Sequence, residues 1–418
     1  MEKTRYAIVG TGSRAAMFVR ALTAEHRDAC ELVALADPNP VRIAAHNARL
    51  PAPVPAYPAT EFAAMIERER VDVVVVCTVD RYHDEYIVAA LEAGCDVLTE
   101  KPMTIDAPRC ARILDAERRT GRRVRVTFNY RYNPLHEAVK RVLAAGEIGV
   151  VGSVHFEWLL DVRHGADYFR RWHRDKADSG GLLVHKAGHH FDLVNWWLAE
   201  EPIQVYAQGR LFFYGPAGAG EGAGNFAVDM SDPELAALYG PAAVRADGYR
   251  RDRDVFAPGV SIEDDLAVLV SYRGGASMTY HLTAYAPWEG YRVMFNGSRG
   301  RLELEVVESD HVAPDSAAAV KGFGTPTERG KVSLRVHPYW APPREIEVSD
   351  HRRKGHGGAD ARMLAALLDP DAPEDPLGRG AGAADGARAL LVGLAANESI
   401  ATGRPIRTDD LNLGRTYA

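Results

Sequence analysis

Residues 185–192 read His-Lys-Ala-Gly-His-His-Phe-Asp, a dense run of groups able to exchange protons. A helix through them puts His185 and His189 on one face, four positions apart, with Asp192 a turn further on. Lys186 and His190 share the neighbouring face, so a single helix presents several titratable groups to one cleft. Imidazole titrates near neutrality and suits the removal of a hydroxyl proton as general base. The same spacing also resembles a His-His-carboxylate metal site, and packing in a core is the plainer reading of any single histidine. A second pattern lies near the N-terminus, where Gly10-Thr11-Gly12-Ser13-Arg14-Ala15 matches G-x-G-x-x-G/A. Gly10 would allow a tight turn, Gly12 a close approach of backbone to pyrophosphate, and Ala15 close helix–strand packing. Ser13 and Arg14 open the helix whose amides would face the phosphates. Asp37, at the end of the second strand, would accept hydrogen bonds from an adenosine ribose, which favours NAD over NADP. Arg42 could complicate that preference by offering charge to a 2′-phosphate.

These groups need elements to position them. Strand-like runs at 6–9, 31–36, 71–77, 96–99 and 124–127 alternate with helical patterns at 13–24, from 41, at 62–68, near 86–93 and at 107–120. Residues 71–77 (VDVVVVC) are almost continuously β-branched, as a strand buried on both faces should be. Strict alternation predicts a doubly wound parallel sheet. After residue 128 the pattern changes to longer strands at 150–160, 204–213, 266–272, 276–284, 292–296 and 301–306, joined by hairpin-type turns. A closing helix is expected at 387–402. The fold class is therefore α/β: a Rossmann domain at 1–127, then an α/β domain at 128–418 with a large, mostly antiparallel open sheet. The second domain would bind substrate and mediate oligomerisation.

Bulk properties narrow the partners. A chain of 418 residues exceeds one ordinary core, and 46% hydrophobic with 26% charged residues is a globular balance. A formal charge of −7 gives no reason to expect nucleic acid. The basic cluster Arg118, Arg119, Arg122, Arg123 and Arg125 reads as the solvated end of a helix. Four scattered cysteines without metal or redox spacing suit a reducing cytoplasm. The chain enters a strand almost at once, leaving no room for a signal peptide, and lacks the ~18 apolar residues of a membrane span.

Cys77-Thr78-Val79-Asp80-Arg81-Tyr82-His83, Ala90-Leu91-Glu92-Ala93-Gly94 and Thr99-Glu100-Lys101-Pro102 resemble the glucose-fructose oxidoreductase / inositol dehydrogenase / MocA (Gfo/Idh/MocA) family. There the first segment usually reads A-T-P-N-x-x-H and the third carries E-K-P. Phe128-Asn129-Tyr130-Arg131-Tyr132-Asn133-Pro134 and Ser179-Gly180-Gly181 fit as well, so the resemblance covers nearly the whole chain. It implies redox chemistry on a sugar, cyclitol or derivative. Lys101 would reach the substrate hydroxyl beside the nicotinamide, on a turn shaped by Glu100 and a Pro102 whose peptide bond is often cis in relatives. Thr78, His83, Glu100 and Asn129 would line the cofactor.

Residues 180–192 align with the family's G-G-x-x-x-D-x-G-x-H-x-x-D stretch. His189 falls on the catalytic histidine, which makes it the expected base. His185 stands where aspartate is usual and Lys186 where an apolar residue is usual. The expected roles are a proton acceptor for His189, a polarising cation for Lys101, and an orienting or relay group for His185. Losing an aspartate beside Lys101 should lower the lysine's pKa and suit an anionic or unusual substrate. Lys101 and Lys186 also weigh against a metal, since they would set positive charge beside it.

Substrate contacts are expected from Arg131, Trp172, His173, Lys186 and His190. The charged run 249–254 lies in a long connection of the kind that covers active sites, or is simply solvated. The aromatic run 285–291 suits a sugar face, a sheet edge or a subunit contact, and 354–360 brings His356 toward the cleft. The leading reading is an NAD-dependent dehydrogenase or reductase. The alternative is a glycoside hydrolase or lyase that holds NAD through a transient oxidation and elimination; a non-catalytic NAD-binding regulator is the third. A homodimer or homotetramer is expected.

Overall fold

The computed structural model describes residues 2–220, 226–312, 330–348 and 358–413. Six short strands build the first sheet: β1 (Thr4–Val9), β2 (Cys30–Ala36), β3 (Ala56–Tyr57), β4 (Val73–Val76), β5 (Asp96–Thr99) and β6 (Val124–Val126). Their order is β3-β2-β1-β4-β5-β6, and every pairing is parallel. Val74, Val75 and Val76 are wholly buried, because helices cover both faces of β4. The helix expected over 13–24 is α-helical at Ala15–Arg20 and widens into a π-helical turn at Ala21–Glu25.

The second sheet has nine strands: β7 (Val151–Asp161), β8 (Pro202–Arg210), β9 (Asp265–Tyr272), β10 (Ser277–Ala286), β11 (Glu289–Gly297), β12 (Gly300–Ser309), β13 (Lys331–Pro338), β14 (Arg344–Glu345) and β15 (Ile406–Arg407). It is mostly antiparallel as expected; β7 and β10 are the parallel pair. Side chains alternate along β7, β9 and β10, burying one face against helices and leaving His155, Leu269, Thr279 and His281 on the other. Each large apolar side chain on the inner face, such as Phe156, contributes roughly 1.5–3 kcal/mol by leaving water.

The chain does not stay in the second unit once it has entered it. Helix Ala359–Leu368 sets Leu364 and Leu368 against Phe18 and Leu22 of the first. Helix Ala383–Thr402 packs Ala387 and Leu390 into the first core and Val392, Ala395 and Ala396 into the second. Gly393 makes that packing possible, since a Cβ there would stand 2.6 Å from the Leu183 carbonyl oxygen.

Candidate active site

β1 and β4 are adjacent, yet the chain leaves them toward opposite edges of the sheet, so a crevice opens beyond their C-terminal ends. Gly10 turns the chain there at φ +86°, and a Cβ would lie 2.6 Å from the Cys77 carbonyl. Asp37 accepts from the Thr11 amide (2.6 Å), the Thr11 hydroxyl (2.9 Å) and the Asn39 amide (2.7 Å), which fixes its carboxylate at the end of β2. The Ser13 amide donates to the Tyr239 hydroxyl at 2.8 Å, and that oxygen lies 3.2 Å from where a Gly12 Cβ would sit. At Gly12 and Ser13 the turn is thus met by a side-chain hydroxyl from a separate segment. The turn suits a dinucleotide: Gly10 and Gly12 carry no side chain and Asp37 is a fixed carboxylate, so these residues would hold one. Arg42 needs correcting. It pairs with Asp247 at 2.7 Å and stands 3.8 Å from Asp37, so its charge is not directed to a 2′-phosphate.

Lys101 sits just past β5 on a turn whose Lys101–Pro102 bond is cis. Its Nζ donates to the His185 carbonyl at 3.2 Å, while Nδ1 of His185 is 2.5 Å from Oδ2 of Asp80. Asp80 escaped the sequence reading, although it occupies the place where the A-T-P-N-x-x-H pattern has asparagine. The expected loss of negative charge beside Lys101 is therefore corrected: the carboxylate has moved from the 185 position to the 80 loop. Lys101 is lowered from the ordinary lysine range, as expected, but burial is the main cause and Asp80 opposes it. Burial first, then Lys101, Arg171 and Lys186, push His185 well below the usual imidazole range. Both the burial and the neighbouring cations favour its neutral form. Trp172 and His173 join this group: their rings stack at 3.7 Å, and His173 lies edge-on to His185 at 4.2 Å. Tyr168, also missed, flanks both imidazoles at 5.5 and 5.7 Å.

The expected single helix is two helices, Leu182–His185 and Gly188–Leu198, broken at Lys186 and Ala187. The break separates the histidines. His189 stacks on Tyr130 at 4.4 Å, edge-on to Phe128. His190 stacks on Trp158 at 4.0 Å and its Nδ1 meets the Tyr280 hydroxyl at 2.7 Å. Trp158 of β7 stands opposite Tyr291 of β11 in register, and their rings stack at 4.4 Å, so the sheet itself orients this aromatic column. The Lys186 Nζ points into the column, 4.8 Å from the Trp158 ring and 3.3 Å from the Tyr130 hydroxyl. Substrate contact by His190 and Lys186 is therefore corrected to packing against the sheet; both are buried. Tyr291 of the aromatic run is likewise core.

Arg131 is a further correction. Its guanidinium makes a two-pronged pair with Asp192 (2.6 and 2.8 Å) and reaches Asp385 at 3.3 Å. Burial lifts Asp192 to about 6 against the pull of Arg131. Arg131→Leu should cost about 3 kcal/mol or more of stability by stranding the carboxylate, read as a lowered denaturation midpoint, and Asp192→Leu in addition should recover part of it. His83 is corrected from cofactor contact to tie: it is fully buried, its Nδ1 on the Pro102 carbonyl (2.9 Å) and its Nε2 on the Thr78 carbonyl (3.2 Å). Glu100 holds Arg14 Nε at 2.7 Å, and Asp360 accepts from Arg14 (3.3 Å) and Asn129 (2.7 Å). Residues 354–357, with His356, lie outside the described residues. Among the described residues no three His, Cys, Asp or Glu side chains cluster as a metal site requires, and no helix is long and apolar enough to cross a membrane.

A parallel sheet with a glycine turn after β1, a lysine after β5 and an imidazole beside that lysine define a nicotinamide-dependent oxidoreductase. The chain belongs to the Gfo/Idh/MocA oxidoreductase family: the model of its NAD-binding Rossmann fold matches residues 4–128, and that of its C-terminal alpha/beta domain matches residues 140–408. A Bacillus subtilis protein named YteT, an oxidoreductase by name, is 35% identical over 96% of this chain and 97% of its own length. Inositol 2-dehydrogenase 2 of Saccharopolyspora erythraea is 33% identical over 34% of this chain and 40% of its own. Among solved structures, the WlbA dehydrogenase of Bordetella pertussis, in complex with NADH and UDP-GlcNAcA, has TM-score 0.66 at 19% identity over 97% of this chain and 99% of its own. The aldose-aldose oxidoreductase of Caulobacter crescentus has TM-score 0.65 at 20% identity over 97% and 100%. NAD is the cofactor of this fold.

Proposed function

We propose that this enzyme oxidises or reduces a hydroxyl-bearing carbon of a sugar, cyclitol or sugar derivative, with Lys101, His185 and His189 acting on the hydroxyl. One observation carries the reading: Lys101 lies against the Asp80–His185 pair beside the dinucleotide turn. Bound NAD supplies the acceptor or donor of the hydride. Lys101 polarises the hydroxyl and stabilises the developing alkoxide. His189, on the first turn of its helix, takes the proton as the family pattern implies, and His185, held by Asp80, orients Lys101 and relays charge. Trp172 and His173 wall the substrate side. The names of the relatives, inositol 2-dehydrogenases and a dehydrogenase complexed with UDP-GlcNAcA, support the substrate class. Incubating the protein with NAD and a panel of sugars, cyclitols and glycosides, while following NADH and released aglycone, tests it. Turnover of none of these classes overturns it.

The alternative for the same site is a redox-neutral cycle in which the substrate is oxidised transiently with a retained NAD and elimination follows. Aglycone release without NADH accumulation would mark that route. The four cysteines, three of them buried, accord with a reducing cytoplasm. The exposed face of the nine-stranded sheet is broad enough to pair with a second copy, and light scattering should give a dimer or tetramer.

Asp80→Asn gives a signed pH prediction. Lys101 must be protonated to polarise a hydroxyl, and Asp80 is the largest influence raising its pKa. Burial pushes the Asp80 carboxyl well above its usual range, but where it is ionised it holds Lys101 up; without that charge the lysine pKa falls further, so the alkaline limb of kcat/KM should move toward lower pH. An unmoved limb would disconnect Asp80 from Lys101.

A further inference from the structure

Between β8 and β9 the chain leaves the second sheet and crosses to the first unit. Helices Pro233–Tyr239 and Pro241–Asp247 settle on helix Pro40–Asn47, and their polar contacts gather at the nucleotide end of that unit. Asn39 Nδ2 donates to the Ala243 carbonyl (2.9 Å), Arg42 Nε to the Leu238 carbonyl (3.3 Å), and Arg49 pairs with Glu234 (3.2 Å). The Tyr239 hydroxyl lies on the Ser13 amide and 3.3 Å from the Ser13 hydroxyl.

The surroundings of that hydroxyl are cationic. The Arg251 guanidinium lies over the Tyr239 ring at 5.0 Å. Arg251 and Arg171 both lean on Asp167, at 3.3 and 3.1 Å, and Arg170 approaches the same carboxylate at 3.8 Å. One carboxylate thus faces three guanidiniums. Burial would raise the Tyr239 phenol, yet Arg251 and Arg171 outweigh it and bring the phenol below its ordinary value. A neutral oxygen sits where an anion would be favoured.

We propose that residues 232–251 complete the dinucleotide site: the Tyr239 hydroxyl stands in for a diphosphate oxygen on the Ser13 amide, and Arg171 and Arg251 pair with the diphosphate that displaces it. The ligand class is a nucleoside diphosphate, here the adenosine diphosphate half of NAD. The inference rests on NAD being the cofactor and not on which hydroxyl is oxidised. Two guanidiniums match the double negative charge of the diphosphate. The tyrosine competes with that charge for one amide, which lowers the apparent affinity by the fraction of molecules in the covered state.

Calorimetric titration of nucleotide-free protein with ADP-ribose and with adenosine tests this without turnover. Arg251→Gln should weaken ADP-ribose at least tenfold and adenosine less than twofold. Tyr239→Phe, which keeps the ring and removes the competing oxygen, should tighten ADP-ribose several-fold. Equal loss for both ligands with Arg251→Gln, or no loss, overturns the diphosphate pairing. Weaker ADP-ribose binding by Tyr239→Phe overturns the displacement. Should Arg251→Gln fail to fold, Tyr239→Phe still decides. A failed substrate panel with these affinities intact would count against the proposed reaction alone.

Discussion

Lys101→Met should lower kcat about a thousandfold while NAD affinity stays within a few-fold. The substitution keeps the length and apolar character of the stem and removes the charge. Lys101 is held against the His185 carbonyl and its pKa is balanced between burial, which lowers it, and Asp80 and Glu100, which raise it. A cation so placed in a poorly solvated cleft stabilises an alkoxide far more than it would in water, and removing one such group typically costs 10²–10³-fold or more in kcat. Because the charge matters most in the transition state, kcat should fall more than KM rises. Steady-state kinetics on the substrate that emerges from the panel makes the measurement. A kcat within tenfold of the parent would remove Lys101 from the reaction.

His189→Ala should lower kcat by 10²–10⁴-fold, the range for a positioned general base, with NAD affinity nearly intact. His189 sits on the first turn of its helix, walled by Tyr130 and Phe128, one turn along the chain from His185. His185→Ala supplies the comparison. If His185 relays through Lys101, the double variant should lose little more than the worse single one, because groups acting as a unit are not additive. Unchanged turnover in His189→Ala, with collapse in His185→Ala, would transfer the base role to the Asp80–His185 pair.

Much of the frame was legible before any coordinates. The alternation of apolar runs and helices through residue 127, the glycine turn and Asp37 all rest on local patterns: φ at Gly10, burial of the valine run, and the acid closing β2; Lys101 was legible only through the resemblance of Glu100-Lys101-Pro102 to the family's E-K-P. The companions of those residues were not legible. Asp80 received no role because its partner is 105 positions away. Arg131 looked like a substrate ligand because Asp192, which consumes it, lies across the core. The single helix through 185–192 failed because the chain breaks at Lys186 and Ala187, which sets His185 on one short helix and His189 and His190 on the next.

By itself the sequence determined a two-sheet α/β chain with a dinucleotide turn and, through its resemblance to a family, an oxidoreductase with a lysine past the end of β5, since strand period, glycine conformation and motif spacing are properties of short stretches. Tertiary structure alone decided which titratable groups share a cleft, which arginines are spent on buried carboxylates, and that a tyrosine from the distant 232–251 segment faces the Ser13 amide. Charge and desolvation act through space, and distance along the chain does not encode them.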